Sequence, residues 1–170
     1  MTAGENISVF WEWTPATGWY KVPGSEGSGL NGSEASKDGK WIYANEWATG
    51  KITRSANAAP GQPGAREVLA TLDFHPDNMR WQADGTLLVV GQTGSVEDVL
   101  QTCLAVNECS KMGATVITID PHTREIRKVV ENYSPGPGFA LSTGRTIVGK
   151  EVWVSGIGAD TNRLLVFPLD

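Results

Sequence analysis

The stretch N31-GSEASKDGKWIYANE-W47 is answered 46 positions later by D77-NMRWQADGTLLVVGQ-T93. Few letters are shared, yet each stretch opens on Asn or Asp, carries Asp-Gly at the same offset (Asp38, Asp84), and then runs into apolar residues. Asp-Gly is turn chemistry, and the runs that follow read as strands. Each period of 46 residues holds four short strand signals joined by short turns. That is the pattern of a β-propeller blade, a unit that cannot bury its two apolar faces alone and therefore repeats. A β-sandwich also has short strands at close spacing, but it supplies no reason to repeat a turn at a fixed interval or to place an acid or amide at the head of each unit. The expected class is all-β, with propeller sheets preferred to a sandwich or barrel.

Outward from this repeat, the chain reads as strand after strand. Ile7 to Trp13 and Trp19 to Val22 form a hairpin over Pro15 to Gly18, and a Gly/Ser-rich link, GSEGSGLNG, leads to Asn31. The link lacks the GxGxxG spacing of a dinucleotide site, so it is read as a loop. The first full unit places strands from just after Asn31 to Ser36, Lys40 to Asn45, Lys51 to Ser55 and Arg66 to Leu72. The second places them at Met79 to Gln82, Thr86 to Gly91, Ala114 to Ile119 and Glu125 to Glu131. The third runs from Ser142, turns at Val148 to Lys150, and continues through Glu151 to Ser155 and Arg163 to Phe167. Strand signals thus number two, four, four and about three. That is about three four-stranded blades in one expected domain, residues 1–170.

Composition limits the function. The chain has 170 residues, 40% of them hydrophobic, enough for one core. A net charge of −5 with no run of Lys or Arg gives nothing to neutralise phosphates, so nucleic acid is not an expected partner. No apolar run approaches the roughly 20 residues of a membrane helix, and residues 1–15 lack a signal core, so a soluble, membrane-free chain is expected. Cys103 and Cys109 in CLAVNEC are too far apart for a CxxC motif, and His75 and His122 are too few and too distant to complete a zinc site. A Cys103–Cys109 disulfide is the preferred reading over free thiols. If it forms, it implies a periplasmic or extracellular location; otherwise the cytoplasm is expected.

In a propeller the first strand of each blade lines the axis, so Asn31 and Asp77 should meet there. Carboxylate and amide oxygens are hard ligands suited to Ca²⁺, and Asn78 could add another. The same residues are also plain turn formers, and spacing alone leaves both readings open.

VPGSEGSGLNGSEASKDGKWIYANEW, FHPDNMRWQADGTLLVVG, VITIDPHTREIRKVV and GKEVWVSG resemble the later half of a six-bladed propeller family. It contains senescence marker protein, gluconolactonase, strictosidine synthase-like proteins and the arylesterases called paraoxonases. The resemblance runs from about Ile7 to the C-terminus. It implies a calcium or other divalent ion (zinc is the alternative) on the axis, with Asn31 and Asp77 as ligands and Asn78 added as in the arylesterase branch. It also implies lactone or ester hydrolysis, in which the metal polarises the carbonyl and a base activates water.

The base expected is Asp77, with His75 two residues earlier as a second candidate. Where the arylesterases carry a His, this chain has Gln92, which argues against their dyad. Trp47 is the candidate wall of a substrate site with Gln92 beside it, while the other tryptophans are expected to pack between blades. The insertion from Gln92 to Gly113 is expected as a lid loop. The family's remaining ligands belong to blades absent here, so the chain reads as half a ring, completed either by self-association as a homodimer or by a missing propeller half. The alternative to an enzyme is a non-catalytic propeller fragment or binding module.

Overall fold

The computed structural model describes residues 5–59, 61–106, 109–134, 141–157 and 164–169. Four antiparallel sheets follow one another along the chain. Strands β1 (Trp11–Thr14) and β2 (Gly18–Lys21) form a hairpin. Strands β3 (Leu30–Ala35), β4 (Trp41–Glu46), β5 (Lys51–Ala56) and β6 (Arg66–Thr71) form the first full blade, and β7 (His75–Trp81), β8 (Leu87–Gln92), β9 (Ala114–Ile119) and β10 (Ile126–Tyr133) the second. Strands β11 (Ser142–Val148), β12 (Glu151–Gly156) and β13 (Leu165–Pro168) make a three-stranded sheet. Every sheet is a meander in which each strand pairs with its neighbour in sequence. The all-β propeller architecture expected from the repeat is what the chain adopts.

The Asp-Gly signals do the same work in both full blades. Asp38 Oδ1 accepts the Lys40 amide at 3.1 Å and Asp84 Oδ1 accepts the Thr86 amide at 2.9 Å, each closing a turn two residues on. The following glycines, Gly39 and Gly85, take φ values of 70° and 88°, which a side chain would resist.

The blades stack through alternation on both faces. In β8, Leu87 and Val89 point one way, into a cluster with Tyr43, Ile52, Leu69, Phe74, Met79, Ile117 and Ile119. Leu88 and Val90 point the other way, against Val116, Val130, Val152 and Val154 of the next interface. Each such fully buried side chain contributes ~1.5–3 kcal/mol, so the β8 run LLVV holds two interfaces at once. Polar ties add direction: Trp81 Nε1 donates to the Ala35 carbonyl at 2.6 Å, across the first interface.

The innermost strands β3, β7 and β11 lie side by side, and Gly32 explains how close they come. A Cβ built there would sit 2.4 Å from Asn78 Cα and 2.6 Å from the Asp77 carbonyl oxygen, so only glycine fits.

The structure departs from the sequence-level expectations in three respects. The inner strands start earlier than expected, so that Asn31, Asp77 and Asn78 lie inside β3 and β7 and not ahead of them. The insertion is not simply a loop, because it winds into a π-helical turn at Asp98–Cys103 and a short α-turn at Leu104–Val106. Interblade packing holds for Trp81, which meets Tyr43 edge-on at 5.2 Å. It fails for the hairpin tryptophans Trp11, Trp13 and Trp19, which are 55%, 54% and 68% exposed, because among the described residues no sheet covers their face. Of the expected strand Arg163–Phe167, the first residue lies outside the described set.

Candidate functional site

All three inner strands are bulged at matching places. Between Leu30 and Ser33 of β3 two residues, Asn31 and Gly32, oppose one on β4. Between Pro76 and Met79 of β7 two residues, Asp77 and Asn78, oppose one on β8. Between Ser142 and Gly144 of β11 the extra residue is Thr143. A bulge removes residues from the ladder and re-aims their side chains and carbonyls. Here it gathers groups from three sheets at one point.

Asp77 is the centre of that point. Its Oδ1 accepts from Asn78 Nδ2 at 2.7 Å and its Oδ2 from Gln92 Nε2 at 3.1 Å, and the Asn31 side chain is a third partner. Asn78 Nδ2 also donates to the Thr143 carbonyl at 3.1 Å, and Gln92 Nε2 to the Ser142 carbonyl at 2.8 Å. Asn45 Nδ2 holds the Asp77 backbone carbonyl at 2.9 Å. Burial raises the Asp77 carboxyl above the ordinary aspartate value, against the opposing pull of Gln92, Asn31 and the charge of Arg145. Arg145 itself is brought down to about 10 by its own burial, with Glu34 favouring the charged form. Its Nε donates to the Leu88 carbonyl at 3.2 Å, while its Nη2 is buried without a hydrogen-bond partner.

Above this floor opens a cleft of about 280 Å³, lined by Asn31, Asp77, Trp47 and Gln92 and walled by Leu100, Leu104, Leu141 and Ile157. Trp47 Nε1 donates to Gln92 Oε1 at 2.7 Å, so every polar atom of Gln92 is engaged and the residue links indole to carboxylate as a buried strut. The insertion caps one side. Val99, Cys103 and Met112 pack with Trp47, Ala48 and Leu141, and the Cys103–Cys109 disulfide is formed within it.

The structure thus brings Asn31, Asp77, Asn78, Gln92 and Trp47 together. It sets His75 apart. That ring stacks on Trp47 at 4.7 Å, with Nδ1 2.7 Å from the Trp47 carbonyl and Nε2 2.9 Å from the Gly94 carbonyl, and it does not line the cleft. Asn45, Thr143, Ser142 and Arg145 were not singled out from the sequence. Bulge carbonyls carry no residue signature, and LSTGRT has no Asp-Gly to align it with the other units.

Among the described residues no three Asp, Glu, His or Cys side chains converge as a metal group. The donors that do converge are one carboxylate, neighbouring amides and backbone carbonyls. Asn78 and Gln92 turn their amide nitrogens to the carboxylate, so the oxygens left to an ion are those of Asp77, the side-chain carbonyls of Asn31 and Asn78 and nearby backbone carbonyls, a ligand type that suits Ca²⁺ and lacks the nitrogen and sulfur that zinc favours.

No protein-family model matches the chain, and no curated protein does. Solved structures do. A luciferin-regenerating enzyme superposes with a TM-score of 0.54 at 15% identity, over 91% of this chain and 47% of that one. The chain folds as half of a β-propeller. The periplasmic gluconolactonase of Pseudomonas aeruginosa matches at 15% identity and a TM-score of 0.47 over 99% of this chain and 51% of its own. A putative 6-phosphogluconolactonase of Bacteroides fragilis matches at 15% and 0.44 over 91% and 43%. The half-propeller spans about half the length of these structures.

Proposed function

We propose that this half-propeller carries the active site of a hydrolase of small lactones or esters that works with a divalent cation, calcium first. The observation that supports it is the convergence of three inner-strand bulges on one buried carboxylate at the floor of an apolar-walled cleft. Asn31, Asp77 and Asn78 would hold the cation. When bound, it supplies Lewis acidity toward the substrate carbonyl. Trp47, braced by Gln92, presents an apolar wall to the substrate ring. Asp77, the one carboxylate among the described residues lining the cleft, acts as the base. A water adds to the carbonyl carbon while its proton passes to Asp77, and that proton then leaves with the departing alcohol oxygen. His75 braces Trp47 from below. The disulfide suits an oxidising compartment, the periplasm or the cell exterior.

The test is hydrolysis of a simple δ-lactone and of an aryl acetate with Ca²⁺ or with a chelator. Asp77→Ala should lower kcat/KM by at least about a hundredfold and abolish the Ca²⁺-induced rise in Tm. A variant equal to wild type in both respects ends the reading. A second reading, a binding module without turnover, is favoured by the presence of a single carboxylate among the described residues lining the cleft. It predicts a lactone-induced rise in Tm with no product formed.

A further inference from the structure

The arc ends in two unlike apolar faces. At one end, β1 and β2 stand as a two-stranded hairpin, tied to the segment before β3 by the Ser8–Gly27 bridge and by the Phe10 amide donating to Ser25 Oγ. Its register, Trp11 opposite Lys21 and Trp13 opposite Trp19, puts three exposed indoles and Lys21 on one side, with the ammonium 5.5 Å from the Trp11 ring. A lone hairpin is marginal in water, and three exposed indoles on one are a surface made to be covered.

At the other end, the sheet β11–β12–β13 turns Val152, Val154 and Phe167 toward β8. Its opposite side carries Thr146, Trp153 and Val166 in one cross-strand row and Val148, Glu151 and Pro168 in the next. Val148 and Val166 are 48% and 45% exposed. Glu151, which accepts from Trp153 Nε1 at 3.0 Å, sets a negative charge in this aliphatic face as Lys21 sets a positive one among the indoles.

From these two exposed apolar faces and their opposite charges we infer that a second copy of the chain covers both. The indole face of β1–β2 in one copy seats on the Val148–Trp153–Val166 face of the other, with Lys21 opposite Glu151, and a two-fold axis makes the same contact twice. Such a contact covers exposed indoles with exposed aliphatic side chains and pairs the two charges.

Sedimentation velocity from low to high micromolar concentration, with chelator present so that cation binding plays no part, tests the contact. The wild type should sediment at twice the chain mass at the upper end. Trp19→Glu or Val166→Glu should move the midpoint of dissociation by at least about tenfold. Should these variants misfold by circular dichroism, the exposed charges decide. Lys21→Glu and Glu151→Lys should each weaken the dimer several-fold, and the two together should restore it. A wild type that stays monomeric throughout, or a dimer that no variant moves and no charge swap rescues, overturns the inference. Neither result bears on the hydrolase reading, which is judged by turnover and Tm in the presence of Ca²⁺.

Discussion

Asp77 is pulled two ways. Gln92, Asn31 and the charge of Arg145 favour its ionised form, burial disfavours it, and burial prevails. A carboxyl whose folded pKa is raised holds its proton better in the native state. Its contribution is therefore complete below the ordinary aspartate value and is lost as pH rises through the raised one. The stability difference between wild type and Asp77→Ala, measured by urea unfolding from acid to neutral pH, should accordingly shift against the wild type as pH rises. A flat difference would show that the carboxyl titrates normally. Gln92 offers a second check. Removing it in Gln92→Ala leaves the Trp47 indole N–H and one Asp77 oxygen buried without their partner, at a cost of about 1–3 kcal/mol. Sequence reading named Trp47 and Gln92 together, and both line the cleft. Their mutual bond was not legible, because it joins residues 45 apart on different blades.

Among the elements, the strands were legible wherever an acid-glycine turn or strict alternation marked them, as at Asp38, Asp84 and the LLVV run of β8. The bulges were not, because register belongs to a pair of strands and one sequence does not state it. Gly32 is the element-level test of the close inner-strand contact. Gly32→Ala drives a methyl into the backbone of Asn78 and should cost about 1–3 kcal/mol by chemical denaturation while weakening Ca²⁺ stabilisation, since Asp77 moves with its strand. The capping insertion has its own test. Opening the Cys103–Cys109 loop by paired Cys→Ser substitution should remove about 2 kcal/mol from stability on loop-closure grounds and lower Tm by several degrees. The helical turn inside that insertion escaped sequence reading because six residues around Val99 are too few to display a period.

For the whole molecule, the fold was legible because the same unit is written twice in full, and stacking is the one way such units bury both faces. The hairpin tryptophans were misread for the same reason. An aromatic strand was assigned to an interface, and among the described residues no sheet lies on that side. Their exposure predicts that intrinsic fluorescence shifts to shorter wavelength as protein concentration rises, and that Trp19→Glu suppresses the shift.

Within each sheet every strand after the first hydrogen-bonds to the one translated just before it, so among the described residues no sheet ladder waits on a distant strand. A nascent chain can zip one sheet as soon as it leaves the ribosome and lay the next against it. By the same logic, duplication or loss of one unit in a gene would add or remove a wedge without rewiring those on either side.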